Sequence, residues 1–195
     1  MSNSTNYNKP YIFTITNILG EFFLNSNLPE HVKNMSNISK LDDEIIINID
    51  VKEYIKVLIT SEINIETKLR INIVRNCEIS ELLFAGLFDN VVLNGDCSEV
   101  YFGGGCDYFN VEINTNDLPK LILSMAAIHN LKIKNLSQNT TLYLGVSPHL
   151  YTLDINQEDL VIFKYQGYDH DKTKLESNTK LHYINLDPEK NYLGF

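Results

Sequence analysis

From Val91 to Phe163 apolar residues recur in pairs with one residue between them, and each pair is followed by a small or polar residue. The phrase reads Val91-Val92-Leu93-Asn94, Val100-Tyr101-Phe102-Gly103, Val111-Glu112-Ile113-Asn114 and Leu121-Ile122-Leu123-Ser124. It continues as Leu131-Lys132-Ile133-Lys134, Leu142-Tyr143-Leu144-Gly145, Leu153-Asp154-Ile155-Asn156 and Val161-Ile162-Phe163-Lys164. Period-two alternation puts the flanking residues on one face of a strand and the middle residue on the other. Each phrase therefore predicts a short strand, and the middle residues advance by 8 to 11 positions. Earlier in the chain, 11–16, 44–49, 63–65, 69–73 and 79–84 also read as strands or apolar clusters. Ile18 to Leu24 fits a strand or a short helix, and 51–59 fits both templates with a strand at its end. Leu28-Pro29-Glu30 would start a short helix, and 34–43 reads as a polar connector. After Phe163 the pattern stops: 166–180 reads as an exposed loop and 181–186 as a last strand ended by Asp187-Pro188.

Strands at this spacing build either an antiparallel sandwich or a solenoid whose coils stack on one another. Two steps make about 20 residues, so the solenoid would carry two strands per coil, one on each flattened face. Sorting the middle residues by alternate phrases then gives two columns. One is Tyr101, Ile122, Tyr143 and Ile162, with Leu83 as an earlier member. The other is Val92, Glu112, Lys132 and Asp154, whose last three charges alternate in sign as stacked neighbours prefer. The expected class is mainly β, a flattened β-solenoid, with an antiparallel β-sandwich as the alternative. Residues 1–42 would form an N-terminal cap region, 43–165 the solenoid, and 166–195 a polar loop and C-terminal strand. Asn94-Gly95 and Gly103-Gly104-Gly105 would serve as hairpin turns in a sandwich and as corners in a solenoid.

Leu131-Lys132-Ile133-Lys134-Asn135 and Leu150-Tyr151-Thr152-Leu153-Asp154-Ile155-Asn156 place alternating apolar residues before an Asn. Over about residues 69 to 165 the chain resembles an irregular leucine-rich-repeat-like solenoid. The resemblance implies a scaffold for protein binding, an inference by analogy of fold.

Composition narrows the function classes. The net charge of −9 and pI of about 5.0 disfavour nucleic acid and anionic membranes as partners and suit a basic protein. There are 24 Asn residues in the chain, a bias towards AT-rich codons, so single Asn residues and N-glycosylation sequons carry little meaning. The polar N-terminus lacks the form of a signal peptide, and three cysteines without a CxxC pair suit reduced thiols, which together point to the cytoplasm. Cys77, Cys97 and Cys106 fit small apolar fillers of corners better than a metal site or reactive thiol. Gly103-Gly104-Gly105 matches no phosphate-loop pattern. Asp169-His170-Asp171 reads as a solvated loop. His31, His129, His149 and His182 accompany no nucleophile, and His129 and His149 sit one coil apart. No metal or cofactor is expected.

The reading that follows is a non-enzymatic protein-interaction module, of inhibitor, immunity or host-interaction type. It would present Tyr101, Ile122, Tyr143 and Ile162 to a protein partner. One alternative is a carbohydrate-active β-helix enzyme using carboxylates such as Glu78, Glu81 or Glu99. Another is a subunit of a homo-oligomeric assembly that pairs through a solenoid end or sheet edge.

Overall fold

The computed structural model of the protein describes residues 11–18, 21–26, 36–41, 44–50, 55–61, 65–73, 79–164 and 173–186. Strands make up 70% of it, and among the described residues no helix forms. The strands are β1 (Tyr11–Ile18), β2 (Glu21–Ser26), β3 (Ser36–Leu41), β4 (Glu44–Ile49), β5 (Ile55–Ser61), β6 (Lys68–Ile73) and β7 (Ile79–Ala85). They continue as β8 (Asn90–Asn94), β9 (Glu99–Phe102), β10 (Cys106–Thr115), β11 (Lys120–Leu123), β12 (Ala126–Asn135) and β13 (Thr141–Leu144). The last four are β14 (His149–Ile155), β15 (Asp159–Lys164), β16 (Lys174–Leu175) and β17 (Lys180–Asn185).

These strands form two stacked sheets of a β-solenoid with about 21 residues per turn and about 6 turns. Sheet A runs β17-β15-β13-β11-β9-β7-β5-β1-β2 and sheet B runs β16-β14-β12-β10-β8-β6-β4-β3. From β5 onwards every pairing is parallel, which rules out the hairpin-built sandwich. Among the described residues only β1–β2 and β3–β4 pair antiparallel, so each sheet ends at its N-terminal side in a reversed strand. The polar connector expected at 34–43 is in fact partly strand β3. Its Ser and Asn residues can sit in a strand because backbone pairing with β4 makes the ladder. Of the run 18–24, Ile18 belongs to β1 and 21–24 to β2, and 55–59 is strand β5. The helix expected at 28–33, Cys77, Glu78, His31 and Asp169-His170-Asp171 lie outside the described residues.

The core is made of columns of identical orientation. In sheet A, Val57, Leu82, Val100, Leu121, Leu142 and Ile162 stack in register and are buried. Phe84 and Phe102 stack beside them with ring centroids 4.7 Å apart and planes 9° apart. In sheet B, Leu69, Val91, Val111, Leu131 and Leu153 do the same. Parallel in-register stacking puts like side chains one strand spacing apart, about 4.8 Å, and leaves no room for a misfit in volume. Tyr108 lies fully buried between the sheets, edge-on to Phe102 at 5.0 Å, and its hydroxyl donates to the Phe84 carbonyl at 3.3 Å.

Sheet B carries a bend that the alternation did not announce. In β10 Asp107, Phe109 and Asn110 all point outwards, so the period-two phase slips by one residue at Phe109. The N–H groups of Phe109 and Asn110 both donate to the Asp89 carbonyl, at 2.7 and 2.9 Å. The ladder skips Phe109 opposite His129 and His129 opposite Tyr151, so the bend repeats from coil to coil. The corners use the special residues expected there: Gly95, Gly104 and Gly105 have φ of 117°, 80° and 74°. A Cβ on Gly95 would stand 2.6 Å from the Ile73 carbonyl oxygen.

Candidate functional site

The outer face of sheet A carries three columns of distinct chemistry. The central one is Leu58, Leu83, Tyr101, Ile122, Tyr143 and Phe163, with Ile12 and Ile184 at its two ends. It is flanked on one side by small residues: Thr60 is paired with Ala85, and Gly103, Ser124 and Gly145 occupy the next coils. The small column has a physical role at Tyr101, whose ring lies across Gly103. A Cβ there would meet Tyr101 Cε1 at 2.4 Å. Tyr143 and Phe163 stack with centroids 4.8 Å apart. On the other side Glu81 and Glu99 are held by lysines, with Lys56–Glu81 at 2.6 Å and Lys120–Glu99 at 2.7 Å. Lys120 also stands 5.2 Å from the Tyr143 ring centroid.

Three of the four residues expected in the binding column, Tyr101, Ile122 and Tyr143, are adjacent in register. Ile162 is not with them. It pairs with Leu142, points into the core and is 3% exposed, while Phe163 pairs with Tyr143 and takes the outer position. The cause is the shorter step before β15, which moves the alternation by one residue. Leu160 and Ile162 thereby become the inward pair in place of Val161 and Phe163. Ile122 is outward in register yet fully buried, while its neighbours Tyr101 and Tyr143 are half-buried.

The outer face of sheet B is polar and built from ladders. The column Val92, Glu112, Lys132 and Asp154 forms in register as expected, and Lys132 pairs with Asp154 at 3.5 Å. Glu112 turns to Lys134 at 3.5 Å and accepts from Asn114 at 3.2 Å. Partial burial pushes its carboxyl up, but these donors outweigh it and hold Glu112 below the usual carboxylate range. The Asn residues after the phrases are more than turn formers. Asn72 donates to Asn48 at 2.8 Å, Asn94 to Asn72 at 2.9 Å and Asn114 to Asn94 at 3.1 Å, an amide ladder across four coils. A second ladder joins Asn90, Asn110 and Asn130 at 2.7 and 3.0 Å. The signal for the first ladder lay in the spacing of Asn72, Asn94 and Asn114, hidden by the frequency of Asn elsewhere. At the N-terminal end of this face Arg70 grips Glu44 with two bonds of 2.9 Å and Lys68 adds a third at 2.7 Å. These bonds lower the Glu44 pKa to about 2.

Beyond the bend, Phe109, His129 and Tyr151 form an exposed row, with centroid separations of 5.4 and 4.8 Å. His129 and His149 are therefore not equivalent: His129 aligns with Tyr151, and His149 aligns with Ala127 two residues away. At the opposite corner Asn135 is fully buried. Its Nδ2 donates to Thr140 Oγ1 at 2.9 Å and to Asn139 Oδ1 at 3.0 Å, and its Oδ1 accepts from Ser137 Oγ at 2.9 Å. Asn135 follows the phrase Leu131-Lys132-Ile133-Lys134 and fastens the corner through these bonds.

Cys97 and Cys106 are buried, and their Sγ atoms donate to the carbonyls of Glu99 at 3.0 Å and Gly104 at 3.5 Å. Burial pushes the Cys106 thiol up, which suits the corner-filling role and not a nucleophile. Gly103–Gly105 forms a corner. No group of three His, Cys, Asp or Glu that could hold a metal occurs among the described residues. Among them, no helix is long and apolar enough to cross a membrane. Comparison with known protein families, curated proteins and solved structures finds no match. The leucine-rich likeness therefore stands on architecture alone.

Proposed function

We propose that this chain is a non-enzymatic protein-interaction module that binds a partner through the outer face of sheet A. The observation that carries the reading is the unbroken apolar column through Tyr101, Ile122, Tyr143 and Phe163, beside a shelf of small residues. Aromatic side chains on a flat sheet give large contact area with few rotors to freeze. The net charge of −9 favours a basic partner and would steer its approach. The leucine-rich-like architecture and a cytoplasmic setting accord with an inhibitor, immunity or host-interaction role. Glu81 and Glu99, the described carboxylates of the enzymatic alternative, each sit in a lysine ion pair.

The test is capture of partners with the intact chain and with the Tyr101→Ser, Tyr143→Ser double variant. A specific protein held by the first and lost by the folded second supports the reading. Equal capture by both refutes it. The complete burial of Ile122 favours a second reading, in which the chain itself covers the column. In that case the double substitution lowers stability by several kcal/mol, on the order of 2 to 4, and changes no association.

A further inference from the structure

The outer face of sheet B holds a groove of about 410 Å3 that crosses the strands along the solenoid axis. One wall is the amide row Asn90, Asn110 and Asn130, and the other is the row Val92, Glu112, Lys132 and Asp154. Lys68 and Glu176 close its ends, five strand steps apart, roughly 24 Å at about 4.8 Å per step.

We propose that this groove binds a neutral, linear oligosaccharide. Three observations select that chemistry. The first is the amide row. A carboxamide has two N–H groups and an oxygen with two lone pairs. Asn110 spends one N–H on Asn90 at 2.7 Å, and its oxygen takes one bond from Asn130 at 3.0 Å. One donor and one acceptor remain at Asn110. Asn130 uses its second N–H on the Phe109 carbonyl at 3.4 Å, which leaves its oxygen to accept. Asn90 spends one N–H on the Glu66 carbonyl at 3.5 Å, so the wall offers a donor and an acceptor at Asn90 and Asn110 and an acceptor at Asn130, and a sugar hydroxyl, which both donates and accepts, fits it. The second is charge. The lining carries both signs, Lys68 and Lys132 with Glu112, Asp154 and Glu176. Such a field attracts neither a polyanion nor a polycation. The third is the apolar break at Val92, which in register stands between Arg70 and Glu112 and leaves that point of the row without a charge for the ligand to match. Because the amide repeats at Asn90, Asn110 and Asn130, one strand step apart, a ligand that uses all three must repeat at nearly that interval, as an extended chain of pyranoses does.

The test uses the full chain and isothermal titration with cellohexaose, maltohexaose and mannohexaose, and with an oligogalacturonate of equal length. The expected result is binding of at least one neutral hexasaccharide, with amide hydrogen-exchange protection at 90–92, 110–112 and 130–132. Asn110→Ala weakens it about tenfold. Lys132→Met, at an exposed position, weakens it likewise and serves if the Asn110 variant fails to fold. The sheet-A variant Tyr101→Ser, Tyr143→Ser keeps the affinity, which separates this site from the protein-binding face. Absence of binding by all three neutral sugars at millimolar concentration overturns the proposal. So does binding of the oligogalacturonate alone, or neutral-sugar binding unchanged by both groove substitutions.

Discussion

Replacement of Asn135 by Leu tests whether the corner network or the apolar columns hold the coil in shape. Asn135 is fully buried and its amide bonds Thr140, Asn139 and Ser137 at 2.9 to 3.0 Å. A buried hydrogen bond contributes about 1 kcal/mol net. Two longer bonds, to the Leu118 carbonyl at 3.4 Å and from the Ser137 N–H at 3.1 Å, go with these three, and the Leu regains part of the loss through apolar burial, so the expected cost is about 2 to 3 kcal/mol. The Leu118 carbonyl keeps its bond from Thr140 Oγ1 at 2.9 Å, and the Ser137 N–H keeps the Asn116 carbonyl at 3.0 Å. Neither is stranded, which is why the cost does not climb higher. Asn114→Ala removes ladder bonds from a solvated face and should cost under about 1 kcal/mol. Urea denaturation followed by circular dichroism measures both as shifts of midpoint at constant slope. Native-state hydrogen exchange at 133–141 checks that the Asn135 loss is local, as the nearest-neighbour energetics of a solenoid require. Equal costs for the two substitutions would show that the buried amide is no better than a surface one.

Three further outcomes follow from particular contacts. Ile162→Ala should destabilise by about 2 to 4 kcal/mol through the core cavity it leaves, whereas Phe163→Ala on the outer face should cost clearly less; calorimetric melting of both variants compares them. Glu44 has its pKa lowered to about 2 by Arg70 and Lys68, so its contribution is full above the unfolded value near 4.5 and is lost as pH falls towards 2. The midpoint difference between wild type and Glu44→Gln should thus be constant above about pH 5.5 and shrink towards zero near pH 2; a difference that grows on acidification contradicts the ion-pair account. Burial raises the Cys106 thiol, so alkylation followed by peptide mass spectrometry should find Cys106 modified slowly in the native protein and rapidly in urea.

Much of the fold was legible because one constraint repeats. Each strand must bury alternate residues, and the apolar pairs at Val100/Phe102, Leu121/Leu123 and Leu142/Leu144 state that constraint directly. Their spacing also suggested two strands per coil, an arrangement that sends Tyr101, Ile122 and Tyr143 to one face and Val92, Glu112 and Lys132 to the other, and the parallel pairing then excluded the sandwich. Where the alternation was ambiguous, at Val161-Ile162-Phe163, three apolar residues in a row hid the phase, and stacking on Leu142 settled it. The bend at Phe109 was likewise hidden, because a run of Tyr, Phe and Asn carries no sign of which residue will turn the chain.

The sequence by itself determined the class of fold, the inward columns and the contrast between the two outer faces, since these depend on local period and on side-chain polarity. Only the tertiary structure decided that the strands pair in parallel, that Phe163 replaces Ile162 beside Tyr143, and that the asparagines join into ladders. The reason is physical: a ladder bond such as Asn94 to Asn114 joins residues 20 positions apart, and no local pattern encodes a bond that exists only when one coil lies in register on the next. The groove along the Asn110 row is of the same kind, formed by stacking and by the repeated bend, and visible in no single strand.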